Sequence, residues 1–76
     1  QVHVGPNPVT DNLHIAGDVS SLPLSISLYD MCGNYLFSKN VQELPASIDM
    51  RKLHPGMYVL KLQAKSSADT QKIIVL

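Results

Sequence analysis

The fold of this chain is decided by the stretch His54-Pro55-Gly56-Met57-Tyr58-Val59-Leu60-Lys61-Leu62-Gln63-Ala64. Its Pro-Gly dipeptide predicts a type II turn, because Pro presets φ at the second turn position and Gly adopts the positive φ of the third. After the turn, one face carries Tyr58, Leu60, Leu62 and Ala64, and the other carries Met57, Val59, Lys61, Gln63 and Lys65. Alternation between an apolar and a solvated face predicts a central strand of an antiparallel sheet.

The composition predicts one small domain. The 76 residues, taken as a single domain over residues 1–76, lie near the lower size limit for an unaided core. The 45% of residues that are apolar must supply its stability, because one cysteine allows no disulfide within the chain. Six basic residues balance six acidic ones without a basic patch, which argues against binding nucleic acid or an anionic membrane. Because the chain begins with Gln1 instead of Met, we expect it to be a piece of a longer protein.

Turn signals divide the rest of the chain into short strands. Further strands are predicted at residues 1–4, 12–16, 24–30, 35–39, 47–50 and 70–76, and polar turns at residues 17–18, 20–21, 30–34 and 66–69. Gly33 and Asn34 are expected to take the left-handed positions of the hairpin turn, and Asp49 to cap a single helical turn at residues 50–53. About seven short strands, with turn signals about every eight to twelve residues, predict an all-β fold: a small antiparallel immunoglobulin-like β-sandwich.

No set of side chains that would support catalysis converges in the sequence, so we expect a protein that is not an enzyme and holds no cofactor. His3, His14 and His54 stand apart and are interpreted as surface residues. A metal pair of His3 and His14 would need a further ligand that no spacing supplies. Four aspartates fall in or beside predicted turns: Asp11, Asp18, Asp30 and Asp49. Aspartates bond backbone N–H groups in such places, so no calcium loop is needed to explain them.

The cysteine and the tyrosines each have two interpretations. Cys32, in the predicted hairpin turn, is either a small space-filling residue or a thiol that is a reactive handle or joins another chain. Tyr29, Tyr35 and Tyr58 would form a strip for stacking sugars if all were exposed. The alternation, however, places at least one of the three in the core.

Several motifs, in a fixed order, together resemble a known family. They are Pro6-Asn7-Pro8, Leu13-His14-Ile15, Ile26-Ser27-Leu28-Tyr29-Asp30-Met31-Cys32-Gly33, Ile48-Asp49-Met50-Arg51-Lys52-Leu53-His54-Pro55-Gly56-Met57-Tyr58 and Lys72-Ile73-Ile74-Val75. This set resembles the type A C-terminal sorting domain of the type IX secretion system of Bacteroidetes, the Por secretion family. The resemblance covers nearly the whole chain. It departs from the family pattern at Gly5, where an aromatic residue is common, and at Cys32 within the Asp-x-x-Gly turn.

The resemblance implies a role for each motif. Pro6, Asn7 and Pro8 would set the first bend, Asp30 and Gly33 would shape the hairpin, and Gly56 and Tyr58 would start the central strand. Lys72, Ile73, Ile74, Val75 and Leu76 would be the signal recognised by the secretion machinery. The attached protein would pass through the periplasm and across the outer membrane. A sortase-like peptidase would cleave ahead of the domain and attach the protein to anionic lipopolysaccharide at the cell surface, and the domain itself would have no catalytic role.

The last predicted strand has apolar residues on both faces, with Ile73 and Val75 on one and Ile74 and Leu76 on the other. If the strand lies at a sheet edge, some of this surface is available to a partner by strand addition. Alternatively, the sandwich covers both faces. Free edges would also permit a homodimer by strand pairing or swapping.

Two classes of function are therefore considered. The first is a non-catalytic sorting signal recognised by the type IX translocon and sortase-like attachment machinery, with a docking module retained on the secretion apparatus as a variant. The second is an immunoglobulin-like accessory module that binds carbohydrate or protein at the cell surface. Loss of export after deletion of residues 72–76 would favour the first, and loss of glycan binding in Tyr29→Ala or Tyr35→Ala would favour the second.

Overall fold

The computed structural model describes residues 2–18, 20, 22–65 and 67–76 of the protein. These residues form seven strands: β1 (Val2–Gly5), β2 (Asn12–Gly17), β3 (Leu24–Asp30), β4 (Tyr35–Val41), β5 (Ala46–Asp49), β6 (Gly56–Gln63) and β7 (Ala68–Val75). Three of them form an antiparallel sheet in the order β1-β2-β5. The other four form a second antiparallel sheet in the order β4-β3-β6-β7. The prediction of an all-β fold with seven strands is confirmed.

The two sheets face each other across one hydrophobic core. The three-stranded sheet contributes Leu13, Ile15 and Ile48, and the four-stranded sheet contributes Leu24, Ile26, Leu28, Val41, Tyr58, Leu60, Leu62, Ile73 and Val75. Val9 and Met50, both fully buried, join this core from the connections between strands. Burial of each large aliphatic side chain contributes about 1.5–3 kcal/mol. The core between the sheets is therefore the main favourable term in the stability of the sandwich.

The strand order is that of an immunoglobulin-like sandwich. With the strands lettered A, B, C, C′, E, F and G along the chain, the sheets are A-B-E and C′-C-F-G. The chain crosses from one sheet to the other after β2, after β4 and after β5. Each crossing connects the two sheets covalently, so each sheet is formed by strands from separate parts of the chain.

Strand β6 lies between β3 and β7 in the four-stranded sheet. Its residue Leu60 is fully buried and lies opposite Leu28 of β3. Lys61, the next residue, is exposed on the opposite face. The prediction of a central strand with one solvated face is confirmed.

The predicted strand bounds agree with the structure to within two residues. Strand β3 has the predicted bounds, whereas β4 continues two residues further and β7 begins two residues earlier. Parts of three predictions, on Gln1, Ser21 and Ser66, lie outside the described residues.

Two predictions about glycine-containing turns are wrong in detail. Gly56 has a φ of 156° and begins β6, whereas the third position of a type II turn has a φ of about 80°. The Pro-Gly dipeptide therefore leads straight into the strand without forming that turn. In the hairpin turn, Gly33 has the predicted positive φ, at 89°, but Asn34 does not, since no described residue other than glycine has a positive φ.

Asp49 begins the tight turn that follows β5. Its Oδ1 accepts the Arg51 N–H at 3.0 Å, and the Leu53 N–H donates to the Met50 carbonyl at 3.2 Å. The carboxylate therefore bonds a backbone N–H as a capping residue does. The segment that it caps is a hydrogen-bonded turn and is not continued as a helix.

Candidate functional site

The first connection carries the chain from one sheet to the edge of the other. Strand β1 belongs to the three-stranded sheet, and the bend at residues 6–8 leads to Val9, which forms a parallel bridge with Val75 of β7. The Val9 side chain is fully buried. Pro6 and Pro8 have no N–H to donate to a ladder, which suits a bend that belongs to neither sheet.

The Asn7 side chain bonds β7 as a neighbouring strand would. Its Nδ2 donates to the Lys72 carbonyl at 3.0 Å, and its Oδ1 accepts the Ile74 N–H at 3.0 Å. A side-chain amide carries a donor and an acceptor like a backbone peptide group. One amide therefore takes the place of the backbone ladder at this part of the sheet edge.

The backbone of Val9 continues the same edge. Its N–H donates to the Ile74 carbonyl at 2.8 Å, and its carbonyl accepts the Leu76 N–H at 3.0 Å. Together with Asn7, Val9 occupies the outward-facing polar groups of the chain from the Lys72 carbonyl to the Leu76 N–H. A partner cannot bind by strand addition along this part of the edge, because these groups are already bonded within the domain.

The five residues of the expected signal are divided between the core and the surface. Ile73 and Val75 are 1% and 3% exposed, and they anchor β7 on the core. Ile74 and Leu76 are 38% and 66% exposed, and Lys72 is also exposed. A partner that approaches the folded domain meets the second group and not the first.

Four of the five motifs behind the family resemblance have residues that come together at one end of the sandwich. Tyr58, near the start of β6, lies opposite Asp30 at the end of β3 and opposite Ile73 near the end of β7. The bend at residues 6–8 reaches the same end through the bonds of Asn7. Segments that are far apart in the sequence thus build one continuous end of the domain, and the exposed part of the last strand lies there.

Asp30 holds the hairpin turn at this end. Its Oδ1 accepts the N–H groups of Cys32 and Asn34, both at 2.9 Å, and its Oδ2 accepts the Asn34 Nδ2 at 3.0 Å. These bonds, above all that from the Asn34 N–H, hold the pKa of Asp30 below its ordinary value. Gly33, with its positive φ, occupies a backbone conformation that an L side chain rarely adopts.

Tyr58 ties the connection before β6 to the core. Its ring is only 9% exposed, and its hydroxyl donates to the His54 carbonyl at 2.6 Å. A tyrosine near the start of strand F that bonds the backbone a few residues upstream is the tyrosine corner of immunoglobulin-like sandwiches. Tyr58 is therefore the tyrosine that the alternation places in the core, and it does not belong to a surface strip.

The other two tyrosines do not form a flat platform for sugars. The rings of Tyr29 and Tyr35 meet edge to face, with centroids 5.8 Å apart and an interplanar angle of 65°. The Lys61 Nζ lies over the Tyr29 ring, 4.8 Å from its centroid. One face of Tyr29 is thus occupied by an ammonium group, and with Tyr58 in the core the three tyrosines do not form one stacking strip.

The remaining candidates do not form a chemical centre. His3 and His14 are exposed on strands β1 and β2, and His54 is exposed in the loop before β6. No group of three or more His, Cys, Asp or Glu residues in the described parts of the chain is arranged to hold a metal ion. Cys32 is an exposed free thiol, so the space-filling interpretation is wrong.

No helix in residues 2–18, 20, 22–65 and 67–76 has the length and hydropathy that a membrane span requires.

Neither the pairing of Asn7 with β7 nor the burial of Val9 was predicted from the sequence. Asn7 bonds Lys72, which is 65 positions away, and no local pattern encodes such a contact. The one local signal was a single apolar residue, Val9, directly after Pro8 and before the polar run Thr10-Asp11-Asn12. Such a residue in a polar connection is a candidate for burial.

Comparison with known proteins identifies a family for this chain. The family model described as the secretion system C-terminal sorting domain matches residues 3–76. No curated protein matches the chain significantly. Domains of this family are sorting signals for type IX secretion, which exports the attached protein across the outer membrane to the cell surface or the medium. Because the match extends over residues 3–76, the chain belongs to the secretion system C-terminal sorting domain family.

Proposed function

We propose that residues 1–76 form one non-catalytic sorting domain at the carboxyl end of a larger protein, and that the type IX machinery recognises its folded last strand. Membership of the family gives the sorting role. The proposal adds the part of the surface that serves this role, namely the exposed side chains of Lys72, Ile74 and Leu76. Ile73 and Val75 contribute indirectly by holding the strand on the core.

The observation that carries the proposal is the fixed position of the last strand. Strand β7 is bonded to β6 along one edge and to Asn7 and Val9 along the end of the other. Its core face is buried, so its solvent-facing side chains are presented in one geometry. A preorganised surface loses less conformational entropy when a partner binds, which favours recognition of the folded domain.

The pKa shifts of the described residues have a structural origin in turns. The pKa shifts of Asp30, Asp49 and Arg51 arise from turn hydrogen bonds and one ion pair at exposed positions. Catalytic groups are more often shifted by burial in a cleft. These shifts are those of side chains that stabilise turns.

We further propose the route and the partners of the attached protein. The protein enters the periplasm, is delivered by this domain to the type IX translocon, and is cleaved ahead of the domain by a sortase-like peptidase that attaches it at the surface. The support for this route is the role of the family.

A homodimer that forms by strand pairing or swapping is a separate proposal. The end of β7 is not available for it, because Asn7 and Val9 already bond that edge. The candidates are the outer edges of β1, β4 and β5 and the part of the β7 edge before the Lys72 carbonyl, since each belongs to the last strand of its sheet. A concentration-dependent shift to twice the monomer mass in light scattering would support a dimer, and a constant monomer mass would exclude it.

A surface reporter tests the sorting function. Residues 1–76 are fused to the carboxyl end of a fluorescent protein with a signal peptide and expressed in a type IX-competent cell and in a strain without the translocon. We expect surface fluorescence only in the competent cell. A folded reporter that stays in the periplasm of the competent cell would contradict the sorting role and favour a retained docking module.

Deletion of residues 72–76 is a poor variant for this test, because it also removes Ile73 and Val75 from the core. A better variant combines Lys72→Thr, Ile74→Thr and Leu76→Thr, which change only exposed side chains. The matched control combines His3→Thr, His14→Thr and Ala16→Thr on the exposed face of the other sheet. We expect the first variant to remain in the periplasm and the control to reach the surface. Equal export of both would contradict recognition of the last strand.

A further inference from the structure

The outward face of the four-stranded sheet carries apolar side chains next to lysines, and these residues lie on β3 and β6 as well as on β7. Its centre is formed by Tyr29 of β3, by Met57, Val59 and Lys61 of β6, and by Lys72 and Ile74 of β7. We call these six residues the outer-face patch. They alternate with core residues along their strands, so all six side chains point away from the other sheet.

The apolar part of the patch crosses three neighbouring strands. Met57 lies directly opposite Ile74, and these side chains are 44% and 38% exposed. Val59 lies opposite Tyr29 on one side and opposite Lys72 on the other. Directly opposed side chains on one face have Cβ atoms about 4.5–5.5 Å apart. The patch is therefore continuous from β3 to β7.

The charged part of the patch is entirely cationic. Lys61 and Lys72 are exposed, and neither forms an ion pair with another described residue. The carboxylates lie elsewhere: Asp11, Asp18 and Glu43 in connections, Asp49 on the other sheet, and Asp30 and Asp69 at positions in register with core residues. In a chain with six acidic and six basic residues, a strand face with two lysines and no carboxylate among its described residues is a local field of one sign.

The β7 edge beside the patch is closed to strand addition from the Lys72 carbonyl onward. Asn7 and Val9 already bond the backbone of β7 from the Lys72 carbonyl to the Leu76 N–H. A partner at this end of the domain therefore contacts side chains, and the outer-face patch presents the exposed Met57, Lys61, Lys72 and Ile74 there.

We infer that the outer-face patch is a docking surface for a protein partner that presents carboxylate groups beside an apolar strip. The inference rests on the proposed function, since the partner would be the component of the export machinery that recognises the domain. It extends the recognised surface from β7 to β6, so that Lys61 and Met57 contribute together with Lys72 and Ile74. Electrostatic complementarity with two ammonium groups defines the charge of the partner, and the exposed Met57 and Ile74 define its apolar strip.

The test uses the surface reporter with paired substitutions at Lys61 and Lys72. We expect Lys61→Arg with Lys72→Arg to be exported normally, the pair of Gln substitutions to be exported less, and the pair of Glu substitutions to give about tenfold less surface reporter, because like charges across an interface oppose binding. Met57→Thr with Ile74→Thr should also reduce export. The control is Lys39→Glu with Lys52→Glu, which makes the same change in net charge outside the patch.

Thermal unfolding of each purified domain shows whether it folds, so that a loss of export is attributed only to folded variants. Normal export of the folded Glu pair, or equal loss in the control, would overturn the inference. Equal loss of export in the Arg and Glu pairs would also overturn the inference. Recognition would then depend on the shape of the ammonium group and not on its positive charge. The wild-type reporter tests the sorting function separately. If it reaches the surface, the sorting function holds whatever the patch variants do, and if it does not, the sorting function itself is refuted.

Discussion

At the scale of single residues, Tyr58 fixes the start of the central strand by combining a buried ring with one hydrogen bond. The hydroxyl donates to the His54 carbonyl at 2.6 Å from a side chain that is only 9% exposed. Removing the hydroxyl breaks this part-buried hydrogen bond between the core side chain and the loop before β6.

We therefore expect Tyr58→Phe to lower the free energy of unfolding by about 1–2 kcal/mol while the fold is kept. Urea denaturation of the purified domain measures this change. Tyr35→Phe is the matched control, because it removes an exposed hydroxyl that bonds only the Ser38 Oγ. A Tyr58→Phe domain no less stable than the control would show that the corner does not stabilise the fold.

Asp49 makes the stability of the domain depend on pH in the acid range. Its carboxylate accepts the Arg51 N–H and two guanidinium bonds, at 3.0, 3.0 and 2.9 Å. The side-chain bonds from Arg51 lower the pKa of Asp49 from 3.8 to about 2. Because the folded pKa lies below the unfolded one, the charged carboxylate favours the folded state above pH 3.8, and this contribution is lost as the pH falls towards 2.

The prediction is that wild type loses stability more steeply than Asp49→Asn between these two pH values, since the variant has no carboxylate to protonate at this position. Denaturation midpoints measured through the acid range compare the two proteins. Asp30 also has a lowered pKa and is present in both, so it does not affect the difference. Parallel pH profiles would mean that the Arg51 pair does not distinguish the folded from the unfolded state. The pair is exposed, so salt should weaken the effect.

At the scale of elements, the central strand β6 has one face in the core and the opposite face directed outward. Leu60 is fully buried opposite Leu28, whereas the adjacent Lys61 is exposed on the other face. The two neighbours differ in environment only because side chains alternate along a strand.

We expect Leu60→Asp to leave the domain unfolded, because an unpaired carboxylate in the core costs several kcal/mol and a small domain has only about 5 kcal/mol to lose. Lys61→Ala should stay within about 0.5 kcal/mol of wild type. Far-ultraviolet circular dichroism and urea denaturation test both variants. If Lys61→Ala were as damaging as Leu60→Asp, the assignment of the two faces would be reversed.

The strands that could be predicted from the sequence are those whose pattern is local. Leu24, Ile26 and Leu28 alternate with polar residues, and β3 has the predicted bounds and the predicted buried face. The edge of β7 could not be predicted, because its partners Asn7 and Val9 lie more than 60 positions earlier in the chain. Alternation shows which face of a strand is buried but not what bonds its edge, so strand addition at the last strand remained open until the fold was known.

At the scale of the whole molecule, the domain is closed by contacts between its two ends. Residues 6–9 leave the three-stranded sheet and bond the last strand of the four-stranded sheet, so the proposed signal is held by residues from the start of the chain. The site candidates Pro6, Asn7 and Pro8 on one side and Lys72 to Leu76 on the other are parts of one surface. Only the folded domain brings them together.

Amide hydrogen exchange tests this closure. We expect the N–H groups of Ile74 and Leu76 to exchange slowly, since they donate to Asn7 and Val9, and the outward-facing N–H of Lys72 to exchange faster, since it has no partner among the described residues. Asn7→Ala should accelerate exchange at Ile74 and leave the core amides of β6 protected, because it removes one edge bond without altering the core. Asn40→Ala, an exposed change on β4, is the control and should alter neither. Unchanged protection of Ile74 in the Asn7→Ala domain would show that the amide does not hold the strand. Accelerated exchange throughout β6 would show instead that the fold requires the bonds between Asn7 and β7. The last strand would then keep its position only while residues 6–9 remain bonded to it.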